Sequence, residues 1–152
     1  MRDALNTFLV DSNILVYSVD VSEDAKQLRA IEVLSRLDFS QRGFVSVQVL
    51  GESYNSMTTR IAIPLAGPVA EAIVLGIAET WTVIDLNANV VREAIRISRR
   101  FQLSYWDGLL FGAARLNGVS TLLSEDMQDR QVVEGVKIMN PLQDSFDLTL
   151  LD

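Results

Sequence analysis

Three acidic side chains stand where a site for phosphate chemistry would need them. Asp11 follows the apolar run Phe8–Val10, Asp126 comes shortly after the apolar run Thr121–Leu123, and Asp107 opens a long apolar stretch. Carboxylates are hard oxygen ligands of the kind that Mg²⁺ and Mn²⁺ prefer, and these ions commonly serve phosphate substrates. Clustered carboxylates also repel one another, and a bound cation offsets that repulsion. Together, these acids predict an oxygen-only metal site.

The composition removes most other chemistries. The chain of 152 residues contains no His and no Cys, which excludes imidazole triads, thiol nucleophiles, zinc–thiolate sites and disulfides. Its 13 basic and 20 acidic residues give a net charge of −7, which argues against a general binder of polyanions. Any catalysis must therefore use carboxylates, hydroxyls, Lys or Arg.

Each of the three acids also has a purely structural interpretation. Asp11 or the following Ser12 would serve as the cap of a helix, which is a common use of both residue types. Ser104 and Asp107 fit the S-x-x-D pattern of a capping box, and Asp126 would open a turn. No single acid separates the two interpretations, and the metal site depends on their combination.

Strand-like and helix-like segments alternate along the chain. Such alternation implies crossover connections and a mostly parallel sheet covered by helices on both faces. The expected strands are 7–11, 43–46, 81–86, 119–123 and 135–139. Four expected helices span 25–37, 47–60, 88–101 and 106–116, and two more are expected to begin at residues 12 and 67. We expect residues 1–152 to form a single α/β domain, with a loosely packed acidic tail over 142–152.

The alternation also predicts where a ligand would bind. In open parallel sheets, ligands bind at the carboxyl ends of the strands, near the point where the strand order reverses. Asp11 and the segment Ser124–Asp126 both follow strands directly, so they are expected at that edge.

Four segments in order resemble the motifs of PIN-domain nucleases, in particular the VapC-type toxins of type II toxin–antitoxin pairs. They are Phe8–Tyr17, Val45–Tyr54, Leu103–Leu110 and Leu122–Met127, and the closing run Val136–Pro141 resembles the last strand of the family. The resemblance covers nearly the whole chain.

The resemblance implies a fold and a set of site residues. The fold is a five-stranded parallel sheet in the order 3-2-1-4-5, which places the first and fourth strands side by side. The catalytic acids would be Asp11, Glu52, Asp107 and Asp126. Of these, Asp11, Asp107 and Asp126 would bind Mg²⁺ or Mn²⁺, with Glu125 as the alternative to Asp126. Asn13 and Ser124 would be supporting residues. Without the resemblance, Glu52 would be assigned to a solvated face, since it lies roughly 160° around its helix from the apolar stripe.

The resemblance further implies an activity and partners. The activity would be endonucleolytic hydrolysis of RNA, and the partner a small antitoxin protein, with a homodimer as a common family feature. Separately from the resemblance, the sequence shows no secretory-signal pattern and no apolar stretch typical of a membrane span, so we expect a cytoplasmic protein. A stripe of Arg92, Arg96, Arg99 and Arg100 on the predicted helix 88–101 would contact RNA. The alternative for this stripe is a solvated face whose arginines pair with acids such as Glu93.

Other functions place an Asp after the first strand as well. A phosphatase of the haloacid dehalogenase type needs a second acid two positions later, where this chain has Asn13. A receiver domain needs an acidic pair before its phospho-acceptor, and no such pair is present. The remaining alternative is a catalytically idle PIN-like module that binds RNA or a protein.

Overall fold

A six-stranded sheet forms the centre of the computed structural model, which describes residues 5–152. The sheet order is β3-β2-β1-β4-β6-β5. The strands are β1 (Phe8–Val10), β2 (Gly43–Ser46), β3 (Thr82–Ile84), β4 (Thr121–Leu123), β5 (Val132–Val133) and β6 (Val136–Met139). All neighbours pair in parallel except β5, which is antiparallel to β6.

The predicted parallel order is confirmed, with β6 as the fifth parallel strand. The sixth strand, β5, is a two-residue addition that forms a hairpin with β6. Glu134 and Gly135 connect the two strands with φ values of 47° and 83°, as a tight two-residue hairpin turn requires. A strand of two residues is too short to show an alternating pattern, so the sequence does not predict it.

Helices cover this sheet and connect its parallel strands. They are α1 (Ser12–Tyr17), α2 (Asp24–Ser40), α3 (Val47–Thr59), α4 (Gly67–Thr80), α5 (Ala88–Phe101) and α6 (Tyr105–Leu116). Side chains of Ser46, Asn87 and Ser104 accept hydrogen bonds from the first turns of α3, α5 and α6 and fix where these helices begin. Every residue of β1 and β4 is buried, as expected for central strands of a sheet covered on both faces. Among residues 5–152, no helix is both long and apolar enough to cross a membrane.

Helices α5 and α6 approach each other closely at Gly108. A Cβ added to this glycine would lie 2.6 Å from the backbone oxygen of Ala94 in α5. The absence of a side chain therefore allows the two backbones to touch, and it sets the distance of α6 from α5.

The expectation of a loosely packed tail over 142–152 was wrong. A 3-10 helix (Leu148–Leu151) ends the chain, and both Phe146 and Leu151 are buried in the core. The Arg29 guanidinium in α2 donates hydrogen bonds to the carbonyls of Pro141, Gln143 and Phe146. The tail contains several acidic residues, and for this reason its composition suggests a loosely packed segment. The burial of Phe146 and Leu151 in the core nevertheless orders it.

Candidate active site

Asp11 lies directly after β1, at the carboxyl edge of the sheet. Its side chain is almost fully buried, with 8% of the residue exposed. Oδ1 accepts a 2.7 Å hydrogen bond from the backbone N–H of Ser12, and Oδ2 accepts a 2.8 Å hydrogen bond from the hydroxyl of Ser124. Asp11 therefore does cap α1, as its structural interpretation required, and at the same time contacts the end of β4.

Ser124 connects three of the predicted site residues. It is fully buried, and its Oγ accepts hydrogen bonds from Asn13 Nδ2 at 3.3 Å and from the Asp126 backbone N–H at 3.2 Å. Asn13 Oδ1 in turn accepts a 3.4 Å hydrogen bond from the backbone N–H of Glu125. These bonds hold the segment after β4 against the start of α1, which is the orienting geometry expected of Asn13 and Ser124.

Glu52 approaches Asp11 from the exposed side of α3. Its Oε2 accepts a 3.2 Å hydrogen bond from the hydroxyl of Ser12, and its Oε1 accepts a 2.7 Å hydrogen bond from Gln48. The same Ser12 hydroxyl lies 3.5 Å from Asp11 Oδ1. Ser12 therefore bridges the two acids, whereas the sequence pattern predicts only a helix-capping role for it.

The charges around Asp11 are uncompensated. Burial is the main cause that raises the pKa of Asp11 to about 6, and the carboxylates of Glu52 and Asp126 raise it further. The hydrogen bonds from Ser124 and Ser12 act in the opposite direction. No Lys or Arg within residues 5–152 forms an ion pair with any of these three acids. A buried carboxylate with two acidic neighbours and no basic partner fits a divalent cation chemically.

Asp107 is not joined to this group by any hydrogen bond or ion pair in the described part of the chain. It lies in the first turn of α6, where its backbone N–H donates a 3.1 Å hydrogen bond to the Ser104 hydroxyl. The N-cap interpretation of Ser104 is therefore correct, and the role of the Asp107 carboxylate stays a prediction. Across residues 5–152, no group of three or more acidic residues lies close enough to hold one ion. The side chains of Asp11, Glu52 and Asp126 thus lie in the same region, but they are not close enough together to coordinate one ion as a group.

Glu125 differs from Asp126 in having a basic partner. Its Oε1 accepts 2.9 Å hydrogen bonds from Lys26 Nζ and from the hydroxyl of Tyr17. This contact satisfies the charge of Glu125, while Asp126 acts on Asp11 as an unpaired acid. The geometry favours Asp126 over Glu125 as the acid that belongs to the site.

The arginine stripe of α5 is partly occupied by ion pairs. Arg96 pairs with Glu93 and with Glu134, and Arg100 lies 3.2 Å from Glu134. The interpretation as a solvated face with acidic partners therefore holds for these two residues. Arg92 donates to Asn89, and RNA contact by the stripe stays a prediction.

The chain is similar to known proteins in sequence pattern and in fold. The family model described as PIN domain matches residues 8–134, a range that contains all four predicted acids. No protein of curated function matches the sequence significantly.

Several solved structures share the fold. The toxin–antitoxin complex from Klebsiella pneumoniae aligns with a TM-score of 0.64 and 15% identity, over 89% of this chain and 98% of that one. DNA-bound VapBC from Salmonella typhimurium aligns with a TM-score of 0.64 and 17% identity, over 90% and 98% of the two chains. VapC20 of Mycobacterium tuberculosis, a toxin that cleaves the sarcin–ricin loop, aligns with a TM-score of 0.58 and 20% identity, over 76% and 87%.

Proposed function

The chain belongs to the PIN domain family, and from this membership we propose that it is a divalent-metal-dependent endoribonuclease. The observation that carries the proposal is the buried carboxylate of Asp11, which faces the charges of Glu52 and Asp126 without a basic partner in the described chain. Such an arrangement is costly for the protein alone and becomes favourable when a cation is bound.

Each residue of the site has a distinct task in this proposal. Asp11, Asp107 and Asp126 would hold Mg²⁺ or Mn²⁺, directly or through waters, with Glu52 in the same acidic group. When bound, the ion supplies an acidified water and neutralises charge at the phosphate. Ser124 and Asn13 orient Asp11 and the Asp126 backbone through their hydrogen bonds.

Cleavage of RNA by the wild-type protein and by Asp11→Asn tests this activity. We expect the wild type to cleave in Mg²⁺ or Mn²⁺ and to stop in EDTA, and Asp11→Asn to lose at least 100-fold, about 3 kcal/mol of activation free energy. Asp144→Asn is the matched control, because it makes the same change at an exposed position in the tail. Cleavage that persists in EDTA would refute metal dependence. RNA binding without cleavage by the wild type would identify the idle PIN-like module instead.

We also propose that the chain acts as a toxin in the cytoplasm, where its RNA substrate is found, and is neutralised by a small antitoxin. The support is its similarity in fold to toxin–antitoxin complexes. Induced expression should arrest bacterial growth, Asp11→Asn should not, and co-expression of the product of an adjacent small gene should restore growth. Arrest by Asp11→Asn equal to that by the wild type would contradict a toxic nuclease activity. A homodimer stays a prediction, which light scattering of the purified protein tests.

A further inference from the structure

Arg60 lines the same cavity as Asp126, one of the candidate acids. This open cavity of about 370 Å³ is bordered by Ser12, Asn13 and Asp126, and also by Arg60 and Ser56. Arg60 follows the last residue of α3, the helix that carries Glu52. A guanidinium group and the proposed nuclease site therefore face one shared volume.

The backbone of Arg60 is held in place although its side chain is exposed. Its N–H donates a 2.9 Å hydrogen bond to the carbonyl of Ser56, and the N–H of Ile61 donates to the same carbonyl at 3.2 Å. The side chain of Ile61 is buried, with 8% of the residue exposed. The root of the Arg60 side chain is thus fixed beside the cavity, while its guanidinium group keeps access to solvent.

The guanidinium of Arg60 has no acidic partner within residues 5–152. Several other basic groups of the chain are engaged: Lys26 pairs with Glu125, and Arg96 and Arg100 pair with Glu134. Among residues 5–152, Arg99 and Lys137 also form no ion pair, but neither lines this cavity. Arg60 does not pair even with Asp126, which borders the same cavity, so the two groups are separated by more than ion-pairing distance. Its hydrogen-bond donors are therefore free for a ligand in that cavity.

On the basis of the proposed nuclease function, we propose that Arg60 binds a backbone phosphate of the RNA strand in the cavity beside the proposed site. In the proposed function the cleaved phosphate lies at Asp11 and Asp126, and Arg60 lines the same cavity as Asp126, so its guanidinium faces the strand that enters there. A planar guanidinium donates two parallel hydrogen bonds to a phosphate, which fixes the orientation of the strand as well as its position. The positive charge of Arg60 would thereby offset the repulsion between the RNA backbone and the acidic residues of the site.

Binding of single-stranded RNA tests this role directly. The probe is a fluorescein-labelled RNA of mixed sequence, about 16 nucleotides long so that it spans one site. Fluorescence anisotropy is measured on proteins that carry Asp11→Asn, so that the RNA stays intact. Adding Arg60→Gln should raise the Kd about tenfold, the loss expected for a hydrogen-bonded charge. The slope of log K against log salt should fall in magnitude by about 0.7, the value for one lost contact to a single-strand phosphate.

Two further variants separate this role from other causes. Arg60→Lys keeps the charge and should restore the salt dependence while recovering only part of the affinity, because Lys does not make the paired hydrogen bonds. Arg130→Gln removes the same charge from an exposed arginine that does not line the cavity, and should change neither quantity. Melting temperatures within about 2 °C of the parent would show that the variants are folded, since a larger shift corresponds to a real loss of stability.

The outcomes distinguish this inference from the proposed function. A wild type that cleaves RNA, with Arg60→Gln equal to Arg130→Gln in affinity and salt slope, would overturn the role of Arg60 alone. A wild type that neither binds nor cleaves RNA would overturn both. Reduced affinity with an unchanged salt slope would also contradict a phosphate contact.

Discussion

The hydroxyl of Ser124 donates a 2.8 Å hydrogen bond to Oδ2 of Asp11, and this bond joins the ends of β1 and β4. These strands are neighbours at the point where the strand order of the sheet reverses, because β2 and β3 lie on one side of β1 and β6 lies beyond β4. Ligands of open parallel sheets bind at this position. The candidate site is thus built at the place that the topology provides.

Removing the Ser124 hydroxyl should weaken the protein and its proposed activity together. Ser124→Ala leaves Oδ2 of the buried Asp11 carboxylate and the Asp126 backbone N–H without their hydrogen-bond partner, at a cost of about 1–3 kcal/mol in the free energy of unfolding. Ser124→Thr retains the hydroxyl and is the matched control for urea unfolding and RNA cleavage. Equal losses in both variants would show that packing at this position, and not the hydroxyl, is what matters.

The buried carboxylate of Asp11 should make stability depend on pH. Its pKa is raised to about 6 in the folded protein, so the folded state binds its proton more tightly than the unfolded state does. This stabilising contribution is complete below about pH 4 and is lost as the pH rises through about 6, an effect of about 3 kcal/mol.

Urea unfolding in EDTA at several pH values measures this effect. Asp11→Asn should remove this part of the pH dependence, so that the variant gains stability relative to the wild type as the pH rises from 4 to 7. Asp144→Asn should follow the wild type, since its side chain is exposed. An unchanged difference between wild type and Asp11→Asn over this range would contradict the raised pKa.

The two neighbouring acids after β4 should differ in their effect on cleavage. Asp126→Asn should reduce the rate at least 100-fold, because it removes an unpaired acid that would hold the metal ion in the proposed function. Glu125→Gln should reduce it less than about fivefold, because the Glu125 carboxylate is bound to Lys26 and Tyr17. Single-turnover cleavage rates compare the two, and the reverse ranking would assign the site acid to Glu125.

The contact between α5 and α6 should not tolerate a methyl group. Gly108→Ala places a Cβ against the Ala94 carbonyl and should destabilise the protein by about 1–3 kcal/mol through overpacking. Gly51→Ala is the matched control, since no atom would lie within 4 Å of its added Cβ in the middle of α3. That variant should gain about 0.5–1 kcal/mol from helix propensity. Thermal unfolding tests both, and a neutral Gly108→Ala would show that the helices can separate.

The positions of Asp11 and Ser124 could be predicted because they follow apolar strands directly. Strand ends and parallel order place such residues at one edge without knowledge of any side-chain contact. Glu52 was different, since its helical angle put it outside the apolar stripe, and only the resemblance of its segment to a family motif marked it. In the structure it is exposed, as its angle indicated, and it still reaches Ser12.

Other features depend on contacts between distant residues, which periodicity does not reveal. The choice between Glu125 and Asp126 depends on Lys26, which is 99 positions away from Glu125. The ordering of the tail depends on Arg29, whose guanidinium collects carbonyl oxygens from 141, 143 and 146. Pairing of Arg96 with Glu134 likewise crosses 38 positions and withdraws a guanidinium from the predicted RNA stripe.

The hairpin turn at Glu134 determines what the sheet exposes along its β5 border. Because β5 covers the outer side of β6 over only two residue pairs, this border of the sheet offers few unpaired backbone groups to an extended segment from elsewhere. The ion pairs from Arg96 and Arg100 hold Glu134, and with it this short cover, against α5. Two arginines of one helix thereby anchor the short strand that ends this side of the sheet, and short edge strands are one of the features that limit strand addition between proteins.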